Sequence, residues 1–242
     1  MRWSPIRETM RTMLSTSPNP LLMFSELQRS TPEQEFTLIY ADQALLIANK
    51  PDNLLSVPGK GEEKRDCLIR RVQTHYPDAL IVHRLDFNTS GLLVLARGKD
   101  MHRHLSILFQ DRQVEKSYVA VVDGKLAEDS GQIDLPLIVD WPNRPLHKVD
   151  FATGKPSQTL YKVLSYDAEK NCSRVELTPL TGRTHQLRIH MQAIGHTILG
   201  DPLYADAATK AKASRLLLHA EYLAFTHPAS GKPLNFTCPA DF

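Results

Sequence analysis

The 242-residue sequence is poor in cysteine. Cys67, Cys172 and Cys238 are odd in number, far apart, and include no C-x-x-C pair. That excludes a zinc ribbon or thioredoxin-like motif and predicts three reduced thiols in a cytosolic protein. Long apolar runs are also lacking. None approaches the roughly 18 residues of a membrane-crossing helix, so no membrane partner is expected. Net charge is small, +2 from 29 Lys+Arg against 27 Asp+Glu. Taken alone, that argues against a nucleic-acid binder, which is often strongly basic. Several chemistry-bearing motifs are missing too. There is no G-x-x-x-x-G-K-[ST], and no G-x-G-x-x-G after a strand, to cradle a nucleotide cofactor. There is no G-x-S-x-G for a serine hydrolase. The pairs His102/His104 and His185/His190 lack the H-E-x-x-H spacing of a zinc hydrolase, so neither a metal nor another cofactor is expected. Arg2, Arg7 and Arg11 suggest an export signal, but Pro18 and Pro20 break the stretch after them, which has no sustained apolar run. A signal peptide is therefore rejected and a cytoplasmic protein predicted.

What is present is an ordinary globular composition, 42% apolar and 23% charged. A chain of this length buries about 70–75% of its unfolded surface and needs no disulfide or metal staple. Residues 1–35 hold four Arg, four Glu and four Pro with little periodicity. They read as a poorly ordered extension with one short helix near residues 21–28. From residue 36 the pattern tightens. Residues 36–40 and 45–49 read as two strands joined at Asp42-Gln43. Residues 62–76 and 99–113 read as helices by their apolar spacing. Residues 92–96, 118–122, 159–166, 174–178 and 216–226 read as strands. Residues 184–194 read as a helix with Thr184 as N-cap and Gly195 just beyond its end. Residues 133–158, with DWPNRP and TGKP, read as a long surface segment of the kind that tends to carry function. Strands interleaved with three helices and at least one hairpin predict an α+β fold with a mixed sheet.

Three clusters carry candidate chemistry. In His83-Arg84-Leu85-Asp86-Phe87-Asn88-Thr89-Ser90-Gly91, apolar runs on either side place Asp86 in a turn between buried strands. It reads either as a turn aspartate capping backbone N–H groups or as a functional carboxylate. In Glu115-Lys116-Ser117-Tyr118, Tyr118 opens a strand and by itself reads as a half-buried aromatic. In Gly182-Arg183-Thr184-His185-Gln186-Leu187-Arg188-Ile189-His190, two arginines flank a helix start. They are placed either to meet an anion or to form a solvated basic face.

Taken together and in order, these clusters resemble the motif set of the RluA-type pseudouridine synthases. Asn49-Lys50-Pro51-Asp52-Asn53-Leu54-Leu55 near the start and Leu218-His219-Ala220 near the end add to the likeness. It covers residues 38–242. Single motifs here are weak, but five in order are specific. Residues 135–145 narrow the resemblance to members acting on both large-subunit ribosomal RNA and a group of tRNAs. The resemblance implies the family's fold, with a mostly antiparallel central sheet flanked by helices and loops and an active-site cleft across it. It implies isomerisation of uridine to pseudouridine in structured RNA, including tRNA anticodon stem-loops. Asp86 would be the nucleophile, Arg183 its ion-pair partner, and Tyr118 the residue stacking on the base and a candidate for taking its C5 proton. Arg84 would fill the gap left by the flipped base. His83 reads as structural on its own and is grouped with the substrate-binding set as a member of Arg84's motif. Trp141, Asn143, Arg144, Lys148 and Arg188 complete that set, since RNA loops are read by stacking and backbone contacts.

The sequence departs from the family pattern at Asn53 and Ala205, where Gly is usual, and at Thr197, where Pro is usual. Asn tolerates positive φ, so the turn at residue 53 is expected to survive. The family's frequent S4 RNA-binding domain is expected to be absent, because 35 residues cannot hold one. A monomer with no obligate protein partner is expected. The alternatives are the same chemistry on one RNA class, or an RNA-binding relative without catalysis.

Overall fold

A computed structural model describes residues 36–242, and the expected helix near residues 21–28 lies outside them. The strands are β1 (Thr37–Ala41), β2 (Leu45–Lys50), β3 (Ala79–Ile81), β4 (Ser90–Arg97), β5 (Glu115–Asp123) and β6 (Ser130–Asp134). They continue with β7 (Leu137–Val139), β8 (His147–Val149), β9 (Gln158–Asp167), β10 (Cys172–Pro179), β11 (Leu218–Thr226) and β12 (Pro233–Thr237). The helices are α1 (Leu68–Gln73), α2 (Lys99–Gln110), α3 (Gln186–Ala193) and α4 (Ala207–Ala211). Ten strands form one sheet in the order β1-β2-β4-β11-β5-β10-β9-β6, with β3 beside β4 and β12 beside β11. β7 and β8 form a separate two-stranded hairpin. Among these strand pairs only β4 with β11 is parallel. The α+β, mostly antiparallel sheet expected from the sequence is what forms. Among the described residues no helix is long and apolar enough to cross a membrane.

β4 is the centre of the first half. All of it except Arg97 is buried, which is why it reads as a continuous apolar run rather than an alternating one. Leu93 and Leu95 pack with Leu68, Ile69 and Val72 of α1. Leu92, Val94 and Ala96 pack on the other side with Leu105 of α2. In the second half Ala120, Val122, Val175 and Leu177 meet Leu187 and Met191 of α3. Each fully buried leucine contributes about 2–3 kcal/mol. The first hairpin turns where expected, because Asp42 Oδ1 accepts from the N–H groups of Ala44 and Leu45 at 2.7 and 2.8 Å.

Two expected elements differ. The helix over residues 62–76 is reduced to a 3-10 turn at Glu62–Lys64 and the six residues of α1. Cys67 is extended (φ −165°, ψ 160°) and bridges to Leu55, whose carbonyl accepts the Leu68 N–H at 2.8 Å. Pairing with distant chain thus outweighed local helix propensity. Residues 133–158 contain the β7–β8 hairpin rather than a wholly irregular segment. The hairpin seats Leu137, Leu146 and Val149 against Ile189, Leu203 and Tyr204.

Candidate active site

Asp86 lies in the connection between β3 and β4, and its neighbours are pinned to the segment after β2. Leu85 donates its N–H to Ser56 Oγ (3.1 Å), and Ser56 Oγ donates to the Leu85 carbonyl (2.8 Å). The Phe87 carbonyl accepts from the Leu54 N–H at 3.2 Å. Lys50 is fully buried, and its Nζ donates to the carbonyls of Pro51 (2.7 Å), Leu54 (2.8 Å) and Phe87 (3.3 Å). Asn53 has φ 55°, as anticipated, and its Oδ1 accepts from Asn88 Nδ2 at 2.8 Å. The first motif therefore holds the Asp86 turn on both sides. Gly91 follows where β4 runs parallel to β11. A Cβ there would lie 2.4 Å from the Ala220 backbone N and O, so no side chain fits.

The guanidinium beside Asp86 belongs to Arg188, not to Arg183 as expected. Arg188 Nη1 lies 3.5 Å from Asp86 Oδ2. Its Nε and Nη2 donate to Asp201 Oδ2 and Oδ1 at 2.8 and 2.6 Å, a bidentate pair. Arg188 is 1% exposed and Asp201 fully buried, whereas the Asp86 side chain is 26% exposed and reachable from solvent. Burial works against the charge on Arg188, but the bonds and charge of Asp201, with Asp86 adding, raise its pKa above the usual value. Arg183 is exposed and donates Nε to the Pro156 carbonyl at 3.3 Å. Position in the helix explains the difference: Arg188 is in the first turn of α3, while Arg183 precedes it. Thr184 does not cap this helix. His185 occupies the N-cap at φ 56°, and Gln186 Oε1 accepts from the Arg183 N–H (3.0 Å). Gly195, at φ 86°, ends the helix as expected.

His185 and Tyr204 complete the surroundings of Asp86, and sequence reasoning gave neither a role. His185 Nε2 is 4.0 Å from Asp86 Oδ2. Its Nδ1 is 2.7 Å from Tyr204 Oη, which accepts from the His147 N–H at 3.0 Å. Burial pushes His185 down to about 4, against the opposing pull of Asp86's charge, so the imidazole is neutral at pH 7.

Tyr118 stands where the two halves of the core meet, packing against both. It is half-buried and registers with Leu177 of β10 and Ala220 of β11. Burial, then the charge of Asp86, raises its hydroxyl pKa. The phenol therefore stays protonated at neutral pH. Arg84 is exposed and, among the described residues, makes no hydrogen bond or ion pair. Phe87 beside it is 45% exposed. His83 does not share their exposure. Its ring stacks on Phe109 of α2 (4.4 Å), and its Nε2 accepts from the Val94 N–H at 3.0 Å. Burial, then the charge of Lys116, pushes it down to about 3. Lys116 is likewise turned to α2, with its ammonium 5.7 Å from the Phe109 ring centre.

The hairpin presents Trp141 (65% exposed) with the Arg144 guanidinium 3.2 Å above its ring centre. Lys148 is exposed, 3.8 Å from Asp140. Asn143 is engaged locally, donating Nδ2 to Asp140 Oδ2 at 2.9 Å. Phe151, two residues beyond the end of β8, is 79% exposed. Around Asp86 the structure thus gathers a buried arginine and a protonated tyrosine, while Arg84 and the aromatic–arginine stack of the docked hairpin lie exposed.

A family model described as RNA pseudouridylate synthase matches residues 44–193. The dual-specificity RNA pseudouridine synthase RluA of Yersinia pestis is 52% identical over 205 residues, covering 85% of this chain and 99% of that protein. Its counterpart in Escherichia coli K12 is 50% identical over 218 residues, covering 89% and 99%. Among solved structures, human RNA pseudouridylate synthase domain containing 1 aligns with a TM-score of 0.73 at 27% identity, covering 88% of this chain and 87% of that one. Domain containing 4 aligns at 0.68 and 26%, covering 90% and 91%.

Proposed function

The chain belongs to the RNA pseudouridylate synthase family, and from that premise we propose that it isomerises uridines in both large-subunit ribosomal RNA and tRNA anticodon stem-loops. The relatives named as dual-specificity enzymes, matched over nearly their whole length, support the two substrate classes. The reaction breaks the uracil N1–C1′ bond, turns the base, and joins C5 to C1′. One proton leaves C5 and one N–H forms at N1, so no oxidant, reductant or phosphate donor is required.

Asp86 is the nucleophile. The observation that carries this is its carboxylate, open to solvent yet facing the buried Arg188 guanidinium at 3.5 Å. Arg188 takes the orienting role first given to Arg183, since its planar fork is fixed by Asp201 before substrate arrives. Tyr118 stacks on the flipped base. Its raised pKa favours stacking over direct removal of the C5 proton. Arg84 fills the gap left in the RNA, because its side chain breaks no existing bond on entering. Trp141 and Arg144 stack on loop bases, Lys148 and Arg183 meet phosphates, and Asn143 shapes the hairpin turn. The enzyme acts as a cytoplasmic monomer.

Release of tritium from RNA carrying 5-tritiated uridine tests the chemistry. Wild-type protein releases it and Asp86→Asn does not. Substantial turnover by Asp86→Asn overturns the nucleophile. Mapping pseudouridines in ribosomal RNA and tRNA of a deletion strain tests the pair of substrates, and loss at one class alone overturns dual specificity.

A further inference from the structure

We propose that His185, as its Nε2–H tautomer, is a positioning residue that holds Asp86 Oδ2 together with Arg188 and so leaves Oδ1 to the substrate. The proposal rests on the reading of Asp86 as the reacting carboxylate. The proton bookkeeping comes from three contacts. Tyr204 Oη accepts from the His147 N–H at 3.0 Å and lies 2.7 Å from His185 Nδ1. Among the described residues the Tyr204 proton has no other acceptor, so it points to Nδ1 and makes that nitrogen the acceptor. A neutral imidazole then carries its proton on Nε2, the atom 4.0 Å from Asp86 Oδ2. That gap is too long for a hydrogen bond in the free protein. Contacts of this kind tighten when substrate is bound.

The backbone supports the assignment. His185 is one of four non-glycine residues at positive φ among those described, and it stands next to the site with an unusual conformation at the helix entrance. Such strain persists where the surroundings fix a side chain's aim. Those surroundings come from three directions: Asp86 from the β3–β4 connection, His147 from β8, and Asp201 and Tyr204 from the segment after α3. Arg188 lies on α3 itself. His147 and Tyr204 make edge contacts with the imidazole, ring centres 5.4 and 5.5 Å away. Arg188 and His147 add positive or donor character and Asp86 and Asp201 negative, and burial keeps the ring neutral.

The test uses the full chain labelled with ¹⁵N-histidine, the His185 signals being assigned by their loss in His185→Asn. Long-range ¹H–¹⁵N spectra from pH 5 to 8 should show an Nε2–H tautomer that does not titrate. An Nδ1–H tautomer, or a midpoint inside that range, overturns the proposal. Kinetics supply the second arm. Asn keeps a partner for Tyr204 but no donor toward Asp86, whereas Gln places an N–H near the Nε2 position. In single-turnover tritium release His185→Asn should be about 10–100-fold slower with RNA Kd within about threefold, and His185→Gln should recover most of the rate. Tyr204→Phe should be slowed less and should populate the Nδ1–H tautomer. A wild-type rate in His185→Asn, or equal losses of affinity in both His185 variants without a rate effect, overturns the role. Wild-type protein that releases no tritium overturns the isomerase reading instead, and the spectra still decide the tautomer.

Discussion

The two oxygens of Asp86 are not equivalent. Oδ2 faces Arg188 at 3.5 Å and His185 at 4.0 Å, and both of those side chains are anchored on their far sides. The carboxylate proposed as nucleophile is oriented by groups whose own orientation was fixed when the protein folded, which is the economy of preorganisation. His83 shows the opposite use of a histidine. Stacked on Phe109 and accepting from a backbone N–H, it is held neutral down to about pH 3. Its folded pKa lies below its unfolded value near 6.5. Below that value the unfolded state takes up a proton that the folded state refuses, so stability is complete above about pH 6.5 and falls as pH drops toward 3. The slope from His83 should be about 1 kcal/mol per pH unit, allowing for its partial exposure. Urea unfolding at pH 4, 5, 6 and 7 should show this slope in the wild type and a flatter one in His83→Gln, whose carbonyl can still accept from Val94. An unchanged slope would show that His83 is not the proton site.

At the scale of elements, the site depends on a crossing rather than on any one strand. β4 and β11 touch through Ser90–His219 and Gly91–Ala220 immediately after the Asp86 turn. Replacing Gly91 with Ala forces a Cβ to within 2.4 Å of the Ala220 backbone, at a φ of 115° that L-residues rarely adopt. The expected loss is about 2–4 kcal/mol in equilibrium unfolding, with a parallel fall in tritium release because the Asp86 turn shifts with the strand. Wild-type stability in Gly91→Ala would contradict the close approach. The elements that the sequence did not disclose share a cause. α4 has five residues and a single cap, Asp206 accepting from Thr209 N–H at 2.7 Å, too short for periodicity to register. β12 begins at Pro233 and, among the described residues, pairs only with β11, as an edge strand can. The helix expected over residues 62–76 failed for the reverse reason: its local pattern was adequate, but residue 55 claimed residues 67 and 68.

At the scale of the whole molecule, a net charge of +2 is compatible with RNA because affinity follows the placement of charge. The cations divide into two kinds. Arg188 is buried against Asp201 and Lys50 among carbonyls, so neither can neutralise a phosphate. Arg84, Arg144, Lys148 and Arg183 are exposed. Binding to RNA should therefore weaken with salt. Arg183→Ala should reduce the slope of log Kd against log salt by about 0.7–0.9, the value for one phosphate contact. Trp141→Ala should weaken binding by about 1–3 kcal/mol, the value of one base–aromatic stack, at an unchanged slope. Filter binding at several salt concentrations separates the two. An unchanged slope in Arg183→Ala would remove it from the RNA surface.

The sequence alone determined the α+β class, most strands, the α3 terminus at Gly195 and the turn carrying Asp86, because these follow from local periodicity, turn chemistry and motif order. It also determined that Asn53 could stand in a positive-φ turn, since backbone tolerance is a property of the residue itself. Only the tertiary structure decided which arginine faces Asp86. Arg183 and Arg188 are five residues apart in one motif, and nothing local distinguishes them. The register of α3 against the Asp86 turn and Asp201 buries Arg188 and leaves Arg183 in solvent. His185 and Tyr204 were invisible for the same reason. Nineteen positions separate them in the chain, and their shared hydrogen bond exists only after α3, the hairpin and the segment following α3 have packed together.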